Sequence, residues 1–196
     1  MINIADYKIY AIDTGRFRLD GGAMFGVIPR VLWAKTNPPD EKNRIELALR
    51  TLLLDDGNKR ILVDTGIGTK FDTKHQKIYD IKHDRLNLDV ELEKVGYTRE
   101  DISDVFLTHL HFDHAGGITY RQNGKLCLTF PNATYHVEKS HWNWALNPSK
   151  RDKASFLPEN YRLMAEAGVV NLFDGDKDQL FNNTTILKVH GHTPHM

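Results

Sequence analysis

The stretch Thr108-His109-Leu110-His111-Phe112-Asp113-His114-Ala115-Gly116-Gly117 decides how the chain is read. Four side chains able to ligate a metal fall within six residues: His109, His111, Asp113 and His114. An extended backbone turns alternate residues to one side, so His109, His111 and Asp113 share a face. Leu110 and Phe112 then point the other way, into apolar packing. His114 breaks the alternation and reaches the same cavity from a second direction. Gly116 and Gly117 are expected to let the chain turn sharply.

Neutral imidazole and carboxylate are the usual ligands of Zn²⁺ and similar ions. Clustering them without a cation is unfavourable, because burial and mutual repulsion both oppose charge there. One ion takes a tetrahedral set, so four clustered ligands with further ones from afar point to two adjacent divalent ions. Zn²⁺ is the first expectation, and Mn²⁺ or Fe²⁺ also suit these donors. A metal-bound water loses a proton near pH 7, which supplies hydroxide under neutral conditions.

Thr108 to Gly117 resembles the signature of the metallo-β-lactamase superfamily. Leu62-Val63-Asp64-Thr65-Gly66 resembles that family's upstream strand and turn, and Gly191-His192-Thr193-Pro194 its downstream turn. Gly21 to Gly26 and Pro38 to Arg44 resemble the branch of N-acyl-homoserine lactonase-like and methyl-parathion-hydrolase-like enzymes. The resemblance implies an α/β fold, the αββα sandwich, of which residues 1–196 supply the first part as one domain truncated at its C-terminus. It assigns His109, His111 and His192 to one ion, and Asp113 and His114 to the second. A later Asp bridging the ions and a later His have no counterpart here. The usual family turn reads G-H-T-P-G-H, whereas this chain has His195 and Met196 at the last two positions. His195 is therefore expected to shape the turn or support a ligand.

The implied chemistry is metal-assisted hydrolysis. A bridging hydroxide, oriented by Asp113, attacks a carbonyl carbon while the ions stabilise the developing oxyanion. A lactone such as an N-acyl-homoserine lactone is the favoured substrate, ahead of phosphotriesters and then thioesters. The reading from another class is a non-catalytic metal-binding fragment with one tight ion and an incomplete second site.

Composition narrows the alternatives. Acidic and basic residues balance at 26 each, so no bulk field favours nucleic acid or a membrane surface. No apolar run approaches the roughly 20 residues that span a bilayer. The N-terminus lacks a signal-peptide layout, so a cytoplasmic location is expected, with a small molecule as partner and room for a homo-oligomer. Cys127, the single cysteine, reads as a small core residue.

Along the chain, Tyr7–Thr14 reads as a first strand ended by Gly15. Residues 20–44 read as a long loop whose Met24, Phe25 and Trp33 either wall a substrate pocket or pin the loop to the body. Ile45–Leu54 and Arg60–Asp64 form a hairpin around Asp55-Asp56-Gly57-Asn58. Asp64, at a strand end, is placed to accept a hydrogen bond from a ligand histidine and fix its tautomer. In the polar stretch 67–87, His75 and His83 read as surface residues. Leu88–Val95 is a helix closed by Gly96, and Asp104–Thr108 a buried strand. Lys125–Phe130 and Ala133–Val137 are strands, and Glu138–Leu146 and Pro158–Ala167 are helices. Residues 179–189 form a hairpin around Asn182-Asn183 that delivers His192.

Overall fold

The computed structural model describes residues 1–82, 87–178 and 180–196. The expectation for His83 lies outside them. Strand β1 (Ile2–Ile4) pairs with β2 (Tyr7–Asp20), which continues well past Gly15. Gly15 does not end the strand. It sits beside a bulge after Asp13, with a φ of 127° that glycine tolerates, and pairing with β3 (Arg44–Asp55) resumes beyond it. β4 (Arg60–Val63) returns antiparallel from the Asp55–Arg60 hairpin.

From β4 onward the pairing is parallel. β5 (Asp104–Phe106), β8 (Thr134–Glu138) and β9 (Val170–Phe173) follow in that spatial order, completing a seven-stranded sheet. Parallel neighbours need long crossovers, and these carry the helices. Among them α3 (Thr73–Tyr79) and α4 (Leu88–Lys94) precede β5, while α6 (Lys139–Leu146) and α7 (Pro158–Glu166) precede β9. Gly96 follows α4 at φ 87°, as the helix-closing expectation requires.

The central strands are apolar on both faces. Leu53, Leu62, Val105, Tyr135 and Val137 join Leu92 of α4, Trp142 and Ala145 of α6, and Tyr161 and Met164 of α7 in the main core. Tyr7 and Ile61 meet Phe181 on the opposite face.

Several expectations need correction. Residues 20–44 are not a plain loop, since α1 (Gly21–Phe25) and α2 (Arg30–Trp33) lie within them. Phe25 stacks on the buried Trp33 at 5.0 Å, and Trp33 in turn leaves no room for a Cβ at Gly21. The segment after Ile118 carries β6 (Thr119–Gln122), which pairs with β7 (Lys125–Leu128) around Asn123-Gly124, both left-handed. That dipeptide is a strong hairpin signal. Cys127 lies on this hairpin and is half-buried rather than in the core. The late hairpin is shifted: β10 (Lys177–Asp178), and not residues 180–183, pairs with β11 (Thr185–Ile186), and Gln179 lies outside the described residues.

Parallel order places the ends of β4, β5 and β8 side by side. Asp64 follows β4, the histidine-rich loop follows β5, and Glu138 ends β8. Sites in such sheets form outside the carboxyl ends of the strands.

Candidate metal centre

The loop after β5 is held by apolar anchors on opposite sides. Leu110 enters the main core, and Phe112 enters a second cluster with Phe17, Leu49, Ile67 and Ile81. His111 is extended, with φ −65° and ψ 154°, but the next four residues wind into the helical turn α5 (Phe112–Ala115). Asp113 therefore does not continue the alternation of His109 and His111. It reaches the site from the first turn of a short helix.

Gly116 and Gly117 serve close approach rather than a sharp turn. Gly116 is in ordinary helical conformation, yet a Cβ there would lie 2.1 Å from the Ile67 carbonyl oxygen. A Cβ on Gly117 would meet the Thr65 carbonyl oxygen at the same distance. The segment after β4 thus docks directly on the loop backbone. The Thr65 amide and hydroxyl both donate to the His114 carbonyl at 2.8 Å, and Gly117 donates to Gly66 at 3.0 Å.

His109, His111 and His192 converge. Their ring centroids form a near-equilateral triangle with sides of 4.6, 4.8 and 5.0 Å. One ligating atom from each lies within 4.8 Å of the other two. His109 and His111 are buried, whereas His192 is exposed. His109 Nδ1 contacts the Thr108 hydroxyl at 3.1 Å, and His111 Nδ1 faces His192 Nε2 at 3.0 Å. The Nε2 atoms of both His109 and His111 are buried without a hydrogen-bond partner. Orphaned buried polar atoms are costly, and a shared cation would satisfy both.

Electrostatics agree with that fit. Burial, reinforced by the neighbouring histidines, holds His109 far below the ordinary imidazole range and brings His111 down to about 3. Both are neutral at pH 7, the form a metal requires.

Asp113 and His114 stand beside the triad. The His114 ring lies 4.0 Å from that of His109, and its Nε2 is 3.4 Å from Asp113 Oδ2. His114 Nδ1 meets Asp64 Oδ2 at 2.8 Å. Asp64 also accepts from the Thr108 amide and hydroxyl, so it ties the β4 end to the loop. Burial pulls His114 down, but the Asp64 hydrogen bond and the charges of Asp64 and Asp113 outweigh it and leave a net upward shift. Burial raises Asp113.

The sequence pattern of the metallo-beta-lactamase superfamily matches residues 50–196. The chain belongs to this superfamily.

An N-acyl homoserine lactonase of a Bacillus species is 27% identical over 207 aligned residues, covering 95% of this chain and 67% of the relative. Among solved structures, a probable metal-dependent hydrolase from Staphylococcus aureus is 30% identical with a TM-score of 0.79, over 91% of this chain and 63% of that one. A dizinc quorum-quenching lactonase, solved with its product N-hexanoyl-L-homoserine, is 25% identical with a TM-score of 0.68, over 91% and 62%. The chain spans about two thirds of the length of these relatives.

Within this metallo-beta-lactamase chain, not every singled-out residue meets at the triad. A cavity of about 550 Å³ beside His192 is lined by Ser149, Arg151, Asp152 and His190 to Pro194. Met24 and Phe25 are not among its walls; Met24 is exposed and Phe25 packs on Trp33. His195 is left-handed at φ 61° and packs on His190, which suits the turn role expected of it. His75 is bonded to Asp72 at the surface. His141 also supports the site, although no motif in the sequence singles it out. It lies 31 positions from Leu110, yet its Nε2 accepts the Leu110 amide at 2.9 Å. No local spacing signals that contact; only the parallel neighbourhood of β5 and β8 creates it.

Among the described residues, no helix is long and apolar enough to cross a membrane.

Proposed function

We propose that the protein is a metal-dependent hydrolase that opens lactone rings, N-acyl-homoserine lactones among them, with two divalent ions, Zn²⁺ first. The observation that carries this reading is the convergence of His109, His111 and His192, with the Nε2 atoms of His109 and His111 buried and unpartnered. His109, His111 and His192 would hold one ion, and Asp113 and His114 would contribute to the second. The ions, when bound, acidify a water and polarise the substrate carbonyl.

The chain's own groups do the rest. Asp113 accepts a hydrogen bond from the attacking water and fixes its direction. Asp64 accepts from His114 Nδ1, which leaves Nε2 free to ligate. Burial keeps His109 and His111 neutral, so they compete with no proton for the ion. The cavity beside His192 admits a small molecule. The lactonase relative and the dizinc lactonase neighbour favour a lactone over a phosphotriester.

Assaying the Zn²⁺-loaded protein on an N-acyl-homoserine lactone and an aryl phosphotriester side by side tests the proposal. Faster opening of the lactone is the expected result. Turnover of the phosphotriester with the lactone untouched would replace it. A second reading rests on Asp113 and His114 being a pair, with no third ligand grouped with them among the described residues. On that reading the protein binds one ion and shows no turnover on either substrate.

A further inference from the structure

We infer that His141 is a positioning residue that locks the two ligand-bearing segments of the metal centre in register through its neutral, Nδ1-protonated tautomer. This rests on the reading that His109, His111 and His192 hold an ion. His141 is buried, 1% exposed, on the first turn of α6. Its Nε2 accepts the amide of Leu110, the residue between His109 and His111, at 2.9 Å. Its Nδ1 lies 2.9 Å from the carbonyl oxygen of Pro194, two residues after His192. One imidazole therefore spans both segments.

The partners fix the proton. An amide N–H can only donate, so Nε2 must present a lone pair. A carbonyl oxygen can only accept, so Nδ1 must carry the hydrogen. The cation would lose the Leu110 bond, and the other tautomer would lose both.

The ring is itself clamped. The His141 amide donates to Glu138 Oε2 at 2.7 Å, while Glu138 Oε1 accepts from Lys188 Nζ at 2.8 Å. Lys188 belongs to the segment leading into Gly191-His192. The same helix start thus grips the His192 segment at two points and the His109–His111 loop at one. The His141 ring centroid stays 6.3 Å from that of His109, so it acts on the ligands through backbone and not as one of them.

The experiment has two arms on the full chain. In the first, ¹⁵N-histidine NMR of the metal-free protein at pH 7.5 reads the His141 ring, assigned by its disappearance in His141→Gln. A protonated Nδ1 and a bare Nε2 are expected; an Nε2–H tautomer or an imidazolium overturns the proposal. In the second, Co²⁺ is titrated into wild type, His141→Phe and His141→Gln, followed by its visible spectrum. The Phe variant keeps the ring volume but loses both bonds, and its Co²⁺ affinity is expected to fall ten- to hundredfold, as for supporting partners of metal ligands. The Gln variant retains an acceptor and a donor and is expected to recover most of that loss. A folded Phe variant that binds Co²⁺ like wild type overturns the proposal. If the Phe variant does not fold, the tautomer and the Gln titration decide. Wild type that takes up no Co²⁺ sinks the metal reading itself, which is a different failure from equal binding by wild type and variant.

Discussion

His114 Nδ1 and Asp64 Oδ2 stand 2.8 Å apart, joining a histidine of α5 to the carboxylate that follows β4. Asp64 holds an unusual backbone, φ 61°, where Asn and Asp are among the better-tolerated side chains. Asp64→Asn therefore keeps the turn while removing the charge. It is expected to weaken the second ion's binding ten- to hundredfold and leave the first ion in place. Sequential Zn²⁺ titration by calorimetry checks this; equal weakening of both steps, or of neither, contradicts it.

The metal-free protein is expected to lose stability on acidification from pH 7.5 to 5.5. His109, His111 and His141 all have folded pKa values below the unfolded value of about 6.5. Below that value the unfolded chain takes up protons that the folded chain refuses, so stability falls as pH drops. For His111 the loss continues down to about 3. Each group contributes up to ~1.4 kcal/mol per pH unit. His114 and Asp113 work in the opposite sense: their raised pKa values add stability that is fully present below each group's unfolded value and is lost as pH rises through the folded one. Between pH 7.5 and 5.5 the three depressed histidines are expected to outweigh these two groups, since Asp113 starts from an unfolded value near 3.8, below this range. Urea midpoints across this range should fall; a flat or rising series contradicts the account.

Gly116→Ala is expected to cost ~3 kcal/mol or more, because the new methyl group meets the Ile67 backbone and not a side chain that can swing away. Gly191→Ala is the control. It meets nothing within 4 Å and is expected to shift stability by no more than ~0.5 kcal/mol. Denaturant midpoints for the pair test this, and equal midpoints would show that the β4 turn does not dock on the loop as described.

The metal loop was legible because ligand types, spacing and flanking glycines agree within ten residues. His109 and His111 needed only an extended backbone to face one way. Asp113 departs from the alternation because Phe112 is buried in a second cluster and the helical turn starts there. The glycine pair is legible as a pair, but its reason is a neighbour some 50 positions earlier, which no local pattern contains. Gly15 looked like a strand end because a bulge and a break share the same residue type. The role of His141 was invisible for the same reason as the glycine contacts. It depends on which strands lie side by side, not on what surrounds the residue in the chain.

The most direct test of the central claim is metal content. Wild type and His111→Ala are dialysed after exposure to excess Zn²⁺, and bound metal is counted by mass spectrometry. The account predicts at least one tightly held ion per wild-type chain and a clear loss in the variant, whose fold is checked by circular dichroism. Equal metal in both, or none in wild type, would show that His109, His111 and His192 meet for some reason other than holding a cation.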